Sequence, residues 1–494
     1  MKRVAIIGAG IGGLSTAIRL LKNGYKVTII EKESTVGGKI NQLNQYGNVF
    51  DLTASIVMTP QIYIDLFKDI NRDYTKYIDL IKLDTLYNVF YNDGKNYEFY
   101  SDIGKTIKML EGIDKNISQN YLDYITDTYK KYININDNFL KEPMLELGEM
   151  INLNTLNNAI KLKPMSNSYK YVSKYIKNDK LRDFIIFQSM YIGINPYKSS
   201  NLYTVIPAIS QIYGLWYIKG GMYAYIKALE KIIYEMGGEI HTNLTVENII
   251  IENGIVKGLS TKKKDYWADI VVCNADFPYA IKNLIKEDKY KDRYTDKKIN
   301  RIDYSCSTFI MYLNLKKKYK KLKVHNLYIG DEFRKNIEAP FNGEISDNPS
   351  FYMYCPSKVD KSICSNFKEN LNIMLRVPNL YYKDIIWDEN LIKKVRDKLI
   401  RSISKIKGME DIEKNIVFEE YLTPVDLKEK FNAYNGCAFG VGHNLNQLGY
   451  FRPNIKSKSV ENLYFIGSST HPGNGVSVII DGSKLVANEI IKNS

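Results

Sequence analysis

Histidine, cysteine and tryptophan are scarce in this chain, and no apolar run is long. Its 494 residues include four histidines, five cysteines and three tryptophans. The histidines are dispersed, and the cysteines (Cys273, Cys306, Cys355, Cys364 and Cys437) are odd in number and lack ligand-type spacing. That pattern excludes a disulfide framework and points to no metal site. The cysteines read as reduced, buried thiols of a cytosolic protein. No stretch approaches the about 20 apolar residues that a spanning helix needs. The nearest, Tyr203 to Ile218, is broken by Pro207, Gln211 and Gly214. It reads as a buried core helix, with an amphipathic dip into a bilayer as the alternative. The opening residues read as a strand followed at once by glycines, not as a secretory leader.

The charge is not balanced. Sixty-nine basic residues face 55 acidic ones, a formal charge of +14. Such an excess suits an anionic membrane face or nucleic acid. However, Lys, Asn, Ile and Tyr are abundant together, so most of the excess reads as compositional bias, and the 40 tyrosines do not mark an aromatic lining. The runs Lys262 to Lys264 and Lys316 to Lys318 fall at predicted hairpin and loop tips without interleaved aromatics, so no nucleic-acid partner is expected. Apolar content of 45% and charged content of 25% fit a globular chain of two or three domains.

What is present is concentrated at the two ends. Val4 to Ala9 predicts a strand, Gly8-Ala9-Gly10-Ile11-Gly12-Gly13 a turn into a helix, and Val27 to Glu31 a second strand. Gly8 permits a tight turn, Gly10 lets backbone approach a pyrophosphate, and Gly13 lets helix and strand pack closely. The unpaired N–H groups and the positive end of the helix dipole then hold the diphosphate. Glu31, followed by Lys32, ends the second strand, where a carboxylate binds the ribose hydroxyls of an unphosphorylated adenosine. The nucleotide is NAD or FAD. Gly37-Gly38-Lys39 looks like the FAD-type extension, and no second G-x-G-x-x-G follows for a nicotinamide domain, which favours FAD.

Further along, Phe50 to Met58 reads as extended. Tyr121 to Tyr132, Leu181 to Tyr191, Tyr223 to Glu235 and Glu389 to Ile406 read as helices. Glu239 to His241, Val246 to Glu252, Ile270 to Cys273, Cys306 to Leu313 and Asn372 to Pro378 read as strands, with a hairpin turn at Asn253-Gly254. Asn462 to Ile466 predicts a last strand, running into Gly467 to Gly475 and a helix from Val476 to Ile491.

The chain resembles the carotenoid (phytoene-type) desaturases, and within them the bacterial diapophytoene (dehydrosqualene) desaturases, over essentially its whole length. The motifs are the first glycine turn, Gly37-Gly38-Lys39, Phe50-Asp51-Leu52 with Ile56 to Met58, and Phe187-Gln188 with Met190 to Ile194. Ile218 to Tyr223, Asp303 to Cys306, Leu463 to Phe465 and Ser469 to Val476 complete them. The Ser-Thr-His-Pro-Gly-x-Gly string is the most specific. Thr53-Ala54, Ser477 and Asp481 depart from the usual pattern.

The resemblance implies an α/β fold: a Rossmann-like FAD-binding domain of the glutathione-reductase/amine-oxidase type, built from discontinuous segments, with an α+β substrate domain. Residues 1–70, 218–285 and 415–494 are expected in the FAD-binding domain, and 71–217 and 286–414 in a substrate and membrane-facing domain. By the same resemblance Val246 holds adenine through its main chain, although a plain half-buried strand fits as well. Gly467, Gly475 and Val476 approach the flavin. The implied reaction is FAD-dependent desaturation of a long polyene hydrocarbon, dehydrosqualene to a diaponeurosporene-type carotenoid. An isomerase or terminal oxidase of the same fold, and a non-catalytic prenyl-binding protein, are the alternatives. The implied partners are a long-chain isoprenoid hydrocarbon, a membrane surface and an upstream prenyl synthase. The implied location is cytoplasmic, peripheral on the inner face of the cell membrane. His471, Asp481 and Asp51 are weak candidates for a base, and His471 suits a loop brace better.

Overall fold

The computed structural model describes residues 1–150, 162–364 and 369–494. A parallel five-stranded sheet organises one side of the molecule. Its elements are β1 (Arg3–Ile7), α1 (Ile11–Lys22), β2 (Lys26–Ile30), β3 (Glu239–His241), β4 (Ile270–Cys273), β5 (Leu463–Phe465) and α2 (Val476–Lys492). The strand order is β5-β4-β1-β2-β3, each pair parallel. The sheet therefore draws on three distant stretches of chain, as expected from the sequence.

These strands are apolar on both faces because both faces are covered. Val4, Ile6, Val27, Ile29, Ile270 and Val272 pack with α1, α2 and the helix Met222–Glu235. Their alternates Ala5, Ile7, Ile30, Val271 and Cys273 pack with residues of the hairpin Val246–Thr261 and with Phe277 to Ile285. The hairpin turns at Asn253 and Gly254, with φ of +51° and +79°. Two successive left-handed residues are what a primed turn demands.

The second sheet has seven strands, in the order Ile416–Leu422, Ser307–Leu315, Glu369–Val377, Phe351–Tyr354, His325–Ile329, Thr85–Tyr91 and Asn96–Tyr100. All pairs are antiparallel except His325–Ile329 with Thr85–Tyr91. The helix Glu389–Ser404 covers one face, and the helices Ile117–Ile135, Asp179–Phe187 and Val205–Tyr213 pack over the other.

Three local expectations are corrected. The first strand ends at Ile7, not Ala9, because Gly8 turns the chain at φ +90°. Residues 203–218 hold only a nine-residue helix, which Gly214 ends at φ +76° before a short strand, Trp216–Ile218, pairs with Leu80–Lys82. Ile416–Leu422, placed by sequence with the nucleotide segment 415–494, instead extends the second sheet beside Ser307–Leu315. Among the described residues no helix is long and apolar enough to cross a membrane.

Candidate functional site

A cavity of about 800 Å³ runs along the carboxyl ends of β1, β2 and β4 and continues under the second sheet. Its first arm is built from the two glycine turns. Gly37 N–H donates to the Ala9 carbonyl at 2.8 Å, and Gly37 and Gly10 form a parallel bridge. A Cβ on Gly38 would stand 3.5 Å from Gly10 Cα, and one on Gly10 would stand 2.8 Å from Asn274 Nδ2. A side chain at Gly38 would press on the first turn, and one at Gly10 would press on Asn274.

Two helix N-termini border this space. Gly10 precedes α1 and Gly475 precedes α2, neither with a side-chain cap nor an acid in the first turn. Their free N–H groups and dipole ends suit an anion. Glu31 accepts from Ala9 N–H at 2.7 Å and Glu33 N–H at 2.9 Å, and burial raises its pKa. Val246 lines the same arm, its strand held beside Glu31 by Leu244 N–H donating to the Glu31 carbonyl. Lys32 reaches the Glu429 carbonyl at 3.0 Å, and Lys39 the Ala438 carbonyl at 3.2 Å, with burial lowering the Lys39 pKa. The open glycine cradle, the α1 dipole end and the Glu31 carboxylate fit the adenosine diphosphate half of FAD.

The closing loop supplies the opposite wall. Gly467, Gly475 and Val476 line the cavity. Ser469 Oγ donates to Asp276 Oδ1 at 2.5 Å, and Thr470 Oγ1 to the Gly467 carbonyl at 3.1 Å. Arg452, with no exposed surface, ties the loop down. It donates to the carbonyls of Thr470, Gly442, Val441 and Ser468, all within 3.0 Å.

Not every expected residue faces the cavity. Gly8, Gly10, Ile11, Glu31, Lys32, Gly37, Gly38 and Lys39 do, whereas Ala9, Gly12 and Gly13 do not. Ala9 contributes its N–H to Glu31. Gly12 and Gly13 serve packing: a Cβ there would lie 2.5 Å from Asn274 Oδ1 and 2.2 Å from the Gly8 carbonyl oxygen. Asn274, Asp276, Arg376 and Arg452 were missed by sequence reasoning. For Asn274 and Asp276 a signal existed, their place just past the carboxyl end of an apolar parallel strand. Arg376 and Arg452 carry none.

The three candidate bases differ in setting. His471 Nε2–H donates to the Glu142 carbonyl at 2.7 Å, and burial lowers its pKa to about 4, leaving a neutral loop brace. Asp481 lines the cavity on α2, with burial raising its pKa. Asp51 is away from the cavity lining and fully desolvated, accepting from Met222 N–H at 2.8 Å and Tyr354 O–H at 3.1 Å. Burial lifts its pKa to about 7.

The folded state thus keeps the Asp51 proton between about pH 4 and 7 while the unfolded chain releases it. Stability falls with rising pH across that window, by up to about 1.4 kcal/mol per unit. Asp51→Asn is expected to remove this slope, measured as the difference in urea midpoint between pH 5 and pH 8. An unchanged slope would refute the assignment.

The cysteines form no disulfide among the described residues, and burial pushes the Cys273, Cys306 and Cys355 thiols up to about 12. Thiolate chemistry is therefore absent from these positions near neutrality.

The inner and outer parts of the cavity are mostly apolar. Ile56, Met58, Ile62, Ile206, Ile209 and Phe139 line the outer part, and Ile310, Met374 and Phe439 the inner.

Residues 11–490 match the family model described as flavin containing amine oxidoreductase. The chain is 33% identical to a 4,4'-diapophytoene desaturase (4,4'-diaponeurosporene-forming) of Staphylococcus haemolyticus, and 34% identical to one of Staphylococcus aureus, with 99% of each chain covered. Among solved structures it is similar to an oxidoreductase from Methanosarcina mazei, with a TM-score of 0.64 at 16% identity, covering 98% of this chain and 100% of that one. It is also similar to putrescine oxidase bound to putrescine, with a TM-score of 0.65 at 13% identity and 99% of both chains covered. At these identities the structural matches speak to the fold alone.

Proposed function

The chain belongs to the flavin-containing amine oxidoreductase family and, within it, to the carotenoid (phytoene-type) desaturases, and on that footing we propose that it desaturates 4,4'-diapophytoene to 4,4'-diaponeurosporene. The observation that carries this reading is one continuous cavity whose first arm suits a dinucleotide and whose remainder is apolar. A polyene without a polar group is held only by such a wall, at about 0.8 kcal/mol per buried CH₂.

When bound, FAD supplies the oxidant that takes a hydride from a saturated carbon while the neighbouring carbon gives up a proton. The residues do the rest. Gly8, Gly10 and Gly38 would leave room for the diphosphate, Gly37 ties the second turn to the first through its bond to the Ala9 carbonyl, and the α1 N-terminus would face the diphosphate charge. The uncapped N-terminus of α2 would offer N–H donors to negative charge on a bound ring system. The apolar wall excludes water from the reacting carbons.

The hydrocarbon is proposed to enter from a membrane surface. Ile133, Ile212 and Met165 are exposed, Met165 at 87%. Ile133 and Met165 adjoin the cavity residues Tyr132 and Pro164 in sequence, and Ile212 lies three residues along the helix Val205–Tyr213 from the cavity residue Ile209. A reaction joining two prenyl units supplies the substrate.

Co-expression with a dehydrosqualene-forming synthase tests both parts. Yellow to orange pigment with added double bonds is expected, with the protein recovered in the membrane fraction of the lysate. Colourless precursor beside a flavin-loaded protein would overturn the activity, and recovery only in the soluble fraction would overturn the placement. Unchanged unsaturation with altered geometry, or added oxygen, would favour the isomerase or oxidase reading.

A further inference from the structure

Beneath the second sheet the cavity ends in aromatic rings. Tyr191 and Tyr352 line it there, meeting edge to face with centroids 6.0 Å apart, and no residue of the three strands beyond Phe351–Tyr354 in that sheet lines it. Tyr87 stacks behind Tyr191 at 6.2 Å, and His325 behind Tyr352 at 5.9 Å. Tyr87 and His325 are themselves 6.0 Å apart, closing a four-ring cluster. Neither of these two reaches the cavity, and their exposures are 0% and 1%. The Tyr352 hydroxyl is fixed from two sides, by Ser55 Oγ at 3.1 Å and His325 Nδ1 at 2.6 Å. Rings close-packed against other rings behind them do not swing aside.

We propose that the Tyr191–Tyr352 pair is a stop that fixes how far a linear isoprenoid hydrocarbon enters, and thereby the chain length accepted and the bond presented for oxidation. The proposal rests on the hydrocarbon-desaturase reading. A hydrocarbon sliding along an apolar tube exchanges one set of dispersion contacts for a nearly equal one, so its register is poorly defined by the tube. Contact with a close-packed end wall is the one steep term along that axis.

Arg376 shows which part of the chain meets the wall. It donates to the Met190 carbonyl at 2.8 Å and Thr308 Oγ1 at 3.0 Å, and lies over the Phe439 ring at 4.8 Å. Its charge is desolvated, and its bond to the Met190 carbonyl sets it beside Tyr191. A carbon losing hydride becomes electron-poor, and a fixed cation beside it opposes that change. The segment at the wall is therefore the unreacting chain terminus, and the reacting bond lies further out.

The test uses flavin-loaded protein with thirty-carbon and forty-carbon precursors in phosphatidylglycerol vesicles, comparing kcat/KM for the two lengths. The side chain of Tyr191 is comparable in bulk to one isoprenoid unit. Tyr191→Ala is expected to raise the forty-to-thirty ratio by about tenfold or more, the scale on which apolar pockets discriminate. Tyr352→Phe keeps the ring and removes only the hydroxyl, and is expected to leave that ratio as it is. Should Tyr191→Ala fail to retain flavin, Tyr191→Leu carries the same expectation with a smaller shift. An unchanged ratio in a flavin-retaining Tyr191 variant overturns the stop, as does loss of both activities with flavin retained. A shift in Tyr352→Phe as large as in Tyr191→Ala overturns it too, because bulk would then not be the cause. If the unmodified protein desaturates neither hydrocarbon, the desaturase reading fails instead.

Discussion

Gly13→Ala is expected to yield a colourless protein whose affinity for FAD has fallen on the order of a hundredfold. The added methyl would stand 2.2 Å from the Gly8 carbonyl oxygen and 3.3 Å from Ile6 Cγ2. The first of these is backbone and cannot rotate away, so α1 must lift from β1. Overpacking of this kind costs about 1–3 kcal/mol in stability. The larger effect is on the ligand, because lifting α1 displaces the N–H groups that face the diphosphate. Gly24→Ala is the control. Gly24, unlike the helical Gly13, is left-handed at φ +81°, and nothing lies within 4 Å of its added carbon. It should lose about 1 kcal/mol from backbone strain and bind flavin normally. Flavin titration with a parallel thermal melt separates the two cases, and a Gly13→Ala protein with unchanged affinity would refute the close-packing role.

Arg452→Met is expected to cost stability rather than affinity alone. The Val441, Ser468 and Thr470 carbonyls lose their donor, and the Gly442 carbonyl keeps only Gln447 Nε2 at 3.3 Å, around a side chain that is fully buried. An unsatisfied buried acceptor costs about 1–3 kcal/mol. A loss of about 3–5 kcal/mol is therefore a restrained expectation, and it is the usual scale for breaking a buried charge network. Arg452→Lys should recover less than half, since one ammonium cannot reproduce a fork spanning two turns of chain. Urea midpoints of the flavin-loaded proteins give the measurement. A midpoint equal to that of the unmodified protein would show that the loop is held by something else.

Legibility in the sequence followed the range of the interactions. The β1–α1–β2 unit is local, with glycines at the bends and apolar strands between, and its residues alone specify it. The hairpin at Asn253-Gly254 is equally self-contained. Fold class, flavin and hydrocarbon chemistry came from motif strings at both ends and stand with the family match. What escaped depends on distant partners. Ile416–Leu422 carries an ordinary alternating pattern, and only its pairing with Ser307–Leu315 decides which sheet it joins. Arg452 looks like any surface arginine until the turns at 441–442 and 468–470 close over it. The glycine string also mixes two duties that spacing does not separate, since Gly10 faces the cavity while Gly12 and Gly13 make room for packing.

The order of the parallel sheet also bears on biosynthesis. β1 is translated early, but its sheet stays one strand short until β5 emerges, after every other strand described. α2 and the loop anchored by Arg452 arrive in the same late stretch. Until then the nascent polypeptide exposes its greasy interior to the ribosome's surroundings. Coenzyme capture thus waits for Leu463–Phe465 and the loop after it, the last wall to close over the site.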